Sequence, residues 1–171
     1  MLRLPSYSGC FFCGKGNPIG VKLDLYVDGG EVKASFNLPD LYEGYKGMIH
    51  GGILSGVLDE VMWWAASWEG RRASLTVEMR VRYLKPAPTK EQYLAVARVT
   101  SPSQRIISTE GEIRRLDGGE VCVVAEGRYY LLSGERNEES LRRLDYSLCP
   151  PEVRERFLGS CLLYTSDAAA E

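Results

Sequence analysis

One apolar stretch, residues 47–66, constrains the fold more than any other part of this chain. It opens with glycines on either side of His50 and continues through leucine, valine, methionine and tryptophan almost without interruption. A helix that is apolar on nearly every side is typical of a helix buried on all its faces. The stretch nevertheless carries Asp59. Because an unpaired buried carboxylate is unfavourable, we expect Asp59 to be paired, to have a raised pKa, or to lie in a functional pocket.

Helical spacing gathers small and polar residues on one side of this helix. Residues three and four apart share a helix face, which predicts a stripe made of Gly52, Ser55, Gly56 and Asp59. We expect that stripe to leave room for a ligand.

The start of the helix suits a developing oxyanion. Gly51 and Gly52 allow close approach of the backbone, and free N–H groups lie there at the positive end of the helix dipole. His50, the only histidine of the chain, stands beside them. A Gly-Gly turn or a solvated helical aspartate is commonplace alone, but their combination on one apolar helix indicates a site.

Strand-like runs precede and follow the helix. Asp28-Gly29-Gly30 and Asp117-Gly118-Gly119 are hairpin signals. The predicted strands are residues 21–26, 31–38, 76–83, 93–100, 105–116 and 120–132. In the second of these runs, Val32, Ala34 and Phe36 alternate with polar residues, which predicts one buried and one exposed face. In the third run, Val77, Met79, Val81 and Tyr83 alternate with polar residues in the same way. The helix is expected to end near Glu69-Gly70 with a glycine cap, and residues 43–47 to form a glycine-spaced loop. This order predicts an α+β fold, an antiparallel sheet wrapped around one long central helix.

Composition narrows the class of protein. The net charge of -2 over 171 residues offers no electrostatic case for nucleic acid or an anionic membrane. No apolar run reaches the length of about 20 residues that spans a bilayer, and residues 1–5 lack the apolar core of a signal peptide. We therefore expect a cytoplasmic protein.

The five cysteines imply no disulfide framework. Cys10 and Cys13 form a single C-x-x-C; without a second pair of ligands, we expect a packed or turn-forming role and no metal.

Composition also divides the chain. We predict a domain over residues 1–134, a charged C-terminal extension over 135–160 with a short exposed helix, and a foreign segment over 161–171. That last segment resembles the in-frame translation of a sequencing-library adapter.

The ordered motifs resemble one enzyme family. His50-Gly51-Gly52 followed by Asp59 is similar to the signature of hotdog-fold acyl-CoA thioesterases, in the branch of the phenylacetate-pathway (PaaI-like) enzymes. The resemblance extends over about residues 8–133. The further motifs that carry it are Cys10-Phe11-Phe12-Cys13-Gly14, Asn17-Pro18-Ile19-Gly20, Tyr42-Glu43-Gly44-Tyr45-Lys46-Gly47 and Thr76 to Pro86.

The resemblance implies hydrolysis of an acyl-CoA to a free acid and CoA without a cofactor. Asp59 would be the base or nucleophile, the N–H of Gly51 would polarise the thioester carbonyl with His50 shaping the pocket, and Thr76 would orient the attacking water. Many relatives have asparagine where this chain has Gly44, so fewer donors would bind the carbonyl. The candidates for binding the CoA phosphates are Arg80, Arg82 and Lys85, although a solvated strand edge is an equal explanation for each.

The family also implies assembly. Its subunits pair into homodimers, often as dimers of dimers, with Asp59 facing the His50-Gly51 segment of the second subunit and the pantetheine arm along the seam. Two alternatives stay open: a non-catalytic acyl-CoA-binding module, which the intact Asp59 disfavours, and a hotdog dehydratase. The acyl chain is not identified; Trp63 and Trp64 could line an aryl or medium-chain pocket, but aromatics at this spacing are more often core.

Overall fold

The apolar stretch forms one helix, α1, which runs from Gly51 to Gly70. The computed structural model describes residues 1–159, so the predicted adapter segment 161–171 lies outside the described residues. The buried residues of α1 are Leu54, Val57, Leu58, Val61, Met62, Trp64, Ala65, Ala66 and Ser67. Within residues 1–159, no helix is long and apolar enough to cross a lipid bilayer.

Short strands precede α1, and long strands follow it. Before the helix lie β1 (Leu2–Arg3), β2 (Tyr26–Asp28), β3 (Glu31–Asn37), β4 (Glu43–Tyr45) and β5 (Met48–Ile49). After it lie β6 (Ser74–Tyr83), β7 (Gln92–Ser101), β8 (Ile106–Arg115) and β9 (Val121–Leu131), then the helices α2 (Gly134–Arg142) and α3 (Pro151–Arg154) and a π-helical turn (Glu155–Gly159).

Seven of the described strands form one antiparallel sheet in the order β1-β2-β3-β7-β8-β9-β6. Strands β3, β6, β7, β8 and β9 contact α1, so the sheet wraps around one side of the helix. The predicted α+β fold class is therefore confirmed. Strand β6 lies at one edge of this sheet and runs beside α1.

Both predicted hairpin turns are present. Gly29 and Gly30 have φ of 59° and 82° between β2 and β3, and Gly118 and Gly119 have φ of 76° and 67° between β8 and β9. Two consecutive residues with positive φ are the requirement of the type I′ turn, which glycine meets without steric cost.

Two predictions for segments before α1 are wrong. Of residues 21–26, only Tyr26 belongs to a strand of the sheet, because the backbone before it pairs with the N-terminal loop: the N–H of Val21 donates to the carbonyl of Phe11 at 2.8 Å. The predicted loop over residues 43–47 contains a strand, since β4 pairs with β5 in a small ribbon of its own.

The glycine cap predicted at the end of α1 is also wrong. The left-handed residue there is Arg71, with φ of 53°, while Gly70 is still helical. The glycine serves packing, because a Cβ at Gly70 would lie 2.6 Å from the methyl groups of Leu131 on β9. The small residue therefore lets the sheet approach the last turn of the helix.

The predicted C-terminal extension packs against the rest of the chain. Leu141, Val153 and Phe157 are fully buried. The side-chain oxygen of Asn137 accepts a hydrogen bond from the N–H of Ala73 at 2.8 Å. The prediction of an exposed helix holds for most of α2, but its buried face joins it to the core. The boundary at residue 134 stays a prediction.

The buried ring of Phe157 makes this packing testable. It lies edge to face with Trp64 and Trp68 of α1, with centroid distances of 6.0 Å. We expect Phe157→Ala to lower the free energy of unfolding by about 3–5 kcal/mol, since it leaves a cavity beside the helix. Urea denaturation measures the change. Arg154→Ala, at an exposed position of the same segment, should change it by less than about 0.5 kcal/mol; equal effects of the two substitutions would contradict the packing role.

Candidate active site

The carboxylate of Asp59 is held by two hydroxyl groups from the sheet. Its Oδ1 accepts hydrogen bonds from Thr76 Oγ1 at 3.0 Å and from the Tyr129 hydroxyl at 2.9 Å. Burial, with the Asp59 charge beside it, raises the pKa of Tyr129, which therefore stays a protonated donor. Within residues 1–159, Oδ2 of Asp59 accepts no hydrogen bond and is the oxygen available for chemistry.

A β-bulge in β6 turns the side chain of Thr76 towards Asp59. Thr76 lies opposite Tyr129 and Glu78 opposite Arg128, so Val77 is an extra residue in β6. A bulge changes which face the following side chains take and is frequent next to functional sites. Thr76 therefore faces the helix, whereas Glu78 faces the other side of the sheet. The bulge interrupts the alternation of apolar and polar residues along this strand, and Val77 is 54% exposed.

His50 caps the N-terminus of α1. Its Nδ1 accepts the N–H of Gly52 at 2.8 Å, and its carbonyl accepts the N–H groups of Ile53 and Leu54. A neutral His50 therefore carries its proton on Nε2. In the described part of the chain, the N–H of Gly51 has no acceptor, and it lies where the helix dipole favours negative charge.

Gly44 of β4 lies against the capping histidine. A Cβ at this position would lie 2.7 Å from His50 Cδ2 and 3.1 Å from His50 Cα. A larger side chain there would displace the cap of α1. The absence of a side chain at Gly44 therefore allows close packing of β4 against His50.

The stripe predicted on α1 is only partly open. Gly52 is exposed, and Ser55 donates its hydroxyl hydrogen to the Gly52 carbonyl at 3.1 Å. At Gly56 the space is already filled, because a Cβ there would lie 2.0 Å from the ring of Phe12. The expectation of ligand room along the whole stripe is therefore wrong at Gly56.

The two ends of the stripe are far apart within one subunit. Gly51 and Asp59 are separated by eight residues of α1, about 12 Å at 1.5 Å per residue. Strand β6 follows the same path, because the Tyr83 hydroxyl donates to the Gly51 carbonyl at 2.8 Å while Thr76 bonds Asp59. A single carbonyl group therefore cannot contact both Gly51 and Asp59 of the same helix.

The predicted phosphate-binding residues lie away from Asp59. Arg80 and Arg82 pair in register with Glu126 and Val124 of β9 and line a cavity on the face of the sheet opposite α1. Lys85 approaches a carboxylate oxygen of Glu120 at 4.0 Å. Their role in binding CoA stays a prediction.

Sequence reasoning missed Tyr129 and Glu60. Tyr129 is one of two adjacent tyrosines in a long strand, and no local spacing distinguishes it. Glu60 follows Asp59 but lies next to the N-terminal turn, where Cys10 Sγ is 3.6 Å from its Oε2. Burial raises the pKa of Glu60 to about 8, whereas hydrogen bonding, first with Cys13, lowers the pKa of Cys10 to about 5. The pKa of Cys13 is raised by the same contact with Cys10 and by burial.

A cavity of about 330 Å³ adjoins Asp59 and Glu60. Its wall is largely apolar and includes residues from the N-terminal turn, α1, β6 and the C-terminal extension. The lining residues are Tyr7, Cys10, Cys13, Asp59, Glu60, Trp63, Trp64, Ala73, Ser74, Leu75, Leu132, Ser140, Arg143 and Leu144.

The chain is similar to known proteins in sequence and in fold. Residues 46–122 match the family model of the thioesterase superfamily. The crystal structure of protein RHA08564, a thioesterase superfamily protein, is 31% identical with a TM-score of 0.66, over 72% of this chain and 60% of that chain. A protein of Schizosaccharomyces pombe, the uncharacterized protein C26H8.11c, is 32% identical over 88 residues, which are 49% of this chain and 50% of that protein.

A third similar structure carries a ligand. Protein smu.793 from Streptococcus mutans, bound to acetyl CoA, is 16% identical with a TM-score of 0.60, over 65% of this chain and 89% of that one. This chain matches about half the length of the curated relative and 60% of RHA08564. It has the hotdog fold, and its residues 46–122 carry the sequence pattern of the thioesterase superfamily.

Proposed function

We propose that this protein hydrolyses an acyl-CoA thioester to a free acid and CoA. The observation that carries the proposal is the Asp59 carboxylate, whose Oδ1 is held by Thr76 and Tyr129 while Oδ2 accepts no hydrogen bond from the described residues. The superfamily match over residues 46–122 and the acetyl CoA bound to a protein of the same fold support the substrate class.

The chemistry follows from the position of that oxygen. Oδ2 takes a proton from water, whose oxygen then attacks the thioester carbon, or attacks that carbon directly to give an anhydride that water opens. In either route the carbonyl oxygen becomes negative and accepts the N–H of Gly51. The C–S bond then breaks, and the CoA thiolate takes up a proton. The Tyr129 and Thr76 hydroxyls hold the carboxylate in place throughout.

A complete site requires two subunits. Because Gly51 and Asp59 are about 12 Å apart along one helix, the oxyanion donor and the base must come from different copies. Strand β6 offers the surface for pairing, as it is the edge of the sheet and leaves Leu75, Val77 and Tyr83 more than half exposed. Apolar edges of this kind are usually covered.

Antiparallel pairing of two β6 strands would build the site. The Thr76 end of β6 contacts Asp59, and the Tyr83 end contacts Gly51. A twofold axis near the middle of β6 lays the Thr76 end of one copy against the Tyr83 end of the other. Each Asp59 then meets a second subunit's Gly51, and the dimer contains two equivalent sites.

The cavity beside Asp59 is the proposed site for the acyl group. Its volume of about 330 Å³ and the indole rings of Trp63 and Trp64 suit an aryl or medium-length chain. A panel of acyl-CoAs varied in length and aromaticity tests the proposal through release of free CoA. Turnover of at least one class is expected. Saturable binding of acyl-CoAs without release of CoA would instead identify a binding module.

The role of Asp59 is tested by Asp59→Asn, which keeps the shape and removes the base or nucleophile. We expect the rate of hydrolysis to fall by about two orders of magnitude or more, with the melting temperature nearly unchanged. Glu69→Gln changes an exposed carboxylate on the same helix and should leave the rate as it is. Hydrolysis by Asp59→Asn at the wild-type rate would contradict the assignment.

The donor role of Gly51 is tested by Gly51→Pro. Residue 51 is the first helical position after the His50 cap, where proline is well tolerated, and the extended ψ of 132° at His50 suits a following proline. The substitution removes the N–H, so we expect a loss of about 100-fold in kcat. Gly51→Ala introduces the same close contact with Tyr83 but keeps the N–H, and it should retain most of the activity. Equal losses would mean that crowding, and not the donor, is responsible.

The shared site is tested by combining these variants. An Asp59→Asn subunit and a Gly51→Pro subunit with different affinity tags are coexpressed, and the mixed dimer is isolated through both tags. One of its two sites has both an intact Asp59 and an intact Gly51, so we expect about half of the wild-type activity from two inactive parents. A mixed dimer as inactive as its parents, or an active monomer in ultracentrifugation, would place the site within one subunit.

A further inference from the structure

Three ligand-type side chains converge between the N-terminal turn and α1. The sulfur atoms of Cys10 and Cys13 and a carboxylate oxygen of Glu60 lie within 4.8 Å of one another. Cys13 is buried, and Cys10 and Glu60 are half-buried. The chemical step proposed at Asp59 uses none of the three, although all three line the cavity proposed for the acyl group.

The backbone of the turn is arranged around the first sulfur. Cys10 Sγ accepts the N–H of Phe12 at 3.3 Å and that of Cys13 at 3.5 Å, and the N–H of Gly14 closes the turn on the Cys10 carbonyl at 3.0 Å. Hydrogen bonds of this kind stabilise the thiolate, the form that binds metals. A Cβ at Gly14 would lie 2.4 Å from the carbonyl oxygens of Cys10 and Ser8, so this tight turn requires glycine.

The third group is oriented from the helix. Trp64 Nε1 donates to Glu60 Oε1 at 3.2 Å, which leaves Oε2 directed towards Cys10. Carboxylates that bind metals are commonly held by such an outer hydrogen bond. Trp64 is itself almost fully buried, so the orientation of Glu60 is fixed by the core of the domain.

The spacing matches a tetrahedral ion. With Zn–S near 2.3 Å and Zn–O of about 2.0–2.2 Å, the sulfur-to-oxygen edge of a tetrahedron is about 3.6 Å. Cys10 Sγ and Glu60 Oε2 are 3.6 Å apart. Deprotonating all three groups would place two thiolates and a carboxylate together in a half-buried place, and a divalent cation compensates the charge of that ionised set.

We propose that Cys10, Cys13 and Glu60 bind one zinc ion, with the fourth position open to the cavity that all three residues line. The ion links the N-terminal turn to Glu60 of α1, the residue next to Asp59. The same turn carries Phe12, whose ring fills the space at Gly56. The site adjoins the cavity proposed for the acyl group, but the chemical step at Asp59 does not use the ion, and its occupancy is measurable without any substrate.

Metal content provides the first test. Protein expressed with zinc and purified in reductant without chelator is expected to carry about one zinc per chain by mass spectrometry of the metals. Cys10→Ser and Cys13→Ser should lose nearly all of it. Cys149→Ser, at a half-buried cysteine outside the cluster, should retain it. Loss of zinc from all three variants alike would overturn the assignment.

Cobalt provides the second test, which the stability of the variants does not affect. Co²⁺ added to the reduced, metal-free wild-type protein should give the thiolate charge-transfer band and the visible bands of a tetrahedral centre, and zinc should abolish both. Trp64→Phe removes the donor to Glu60, together with part of a buried ring, and should weaken zinc affinity by about 10- to 100-fold. A folded, reduced wild-type protein that takes up neither metal would refute the proposal, as would a Cys10–Cys13 disulfide found in place of bound zinc.

Discussion

The burial of α1 is the constraint on which the rest of this structure depends. A helix with apolar side chains on most of its surface must be covered from several directions, and the sheet reaches only one side of it. The N-terminal turn covers a second side through Phe12 at Gly56, and the C-terminal segment covers a third through Phe157 against Trp64 and Trp68. Gly52, Ser55 and Asp59, beside the edge strand β6, are left at least partly exposed. The candidate site is therefore the part of the helix surface that the single chain leaves open.

The sequence predicted the elements whose signals are local. A long apolar run after a glycine-rich loop identified α1, and two consecutive glycines after aspartate identified both hairpins, since glycine takes positive φ at successive residues without steric cost. The family resemblance named Thr76 as the residue that orients the attacking water, and the structure adds its hydrogen bond to Asp59. Strand alternation alone would have turned Thr76 away from the helix, on the same face as Glu78. The bulge that reverses this is set by pairing with β9, which no window of sequence around residue 77 contains.

Features that depend on contacts between distant segments were not predictable in this way. Gly70 was expected to cap the helix, but it is helical and leaves room for the side chain of Leu131 on β9. The left-handed residue is Arg71, which has no intrinsic preference for that conformation. The C-x-x-C was set aside as a metal site for want of more ligands. Glu60, the third ligand proposed for zinc, is 47 residues beyond Cys13 in the sequence. It becomes a neighbour of Cys13 only when the N-terminal turn packs on α1.

Asp59 and Glu60 are adjacent in sequence, and they connect the candidate active site with the N-terminal cysteine turn. Successive residues of a helix point about 100° apart, so Asp59 faces β6 and β9 while Glu60 faces the N-terminal turn. A rotation of α1 that moved one carboxylate would move the other. The hydroxyls of Thr76 and Tyr129 fix the helix from the sheet side, and Trp64 and the cysteine turn fix it from the other. Two carboxylates in sequence thus set the rotation of one helix, and with it the direction in which Oδ2 of Asp59 meets a substrate.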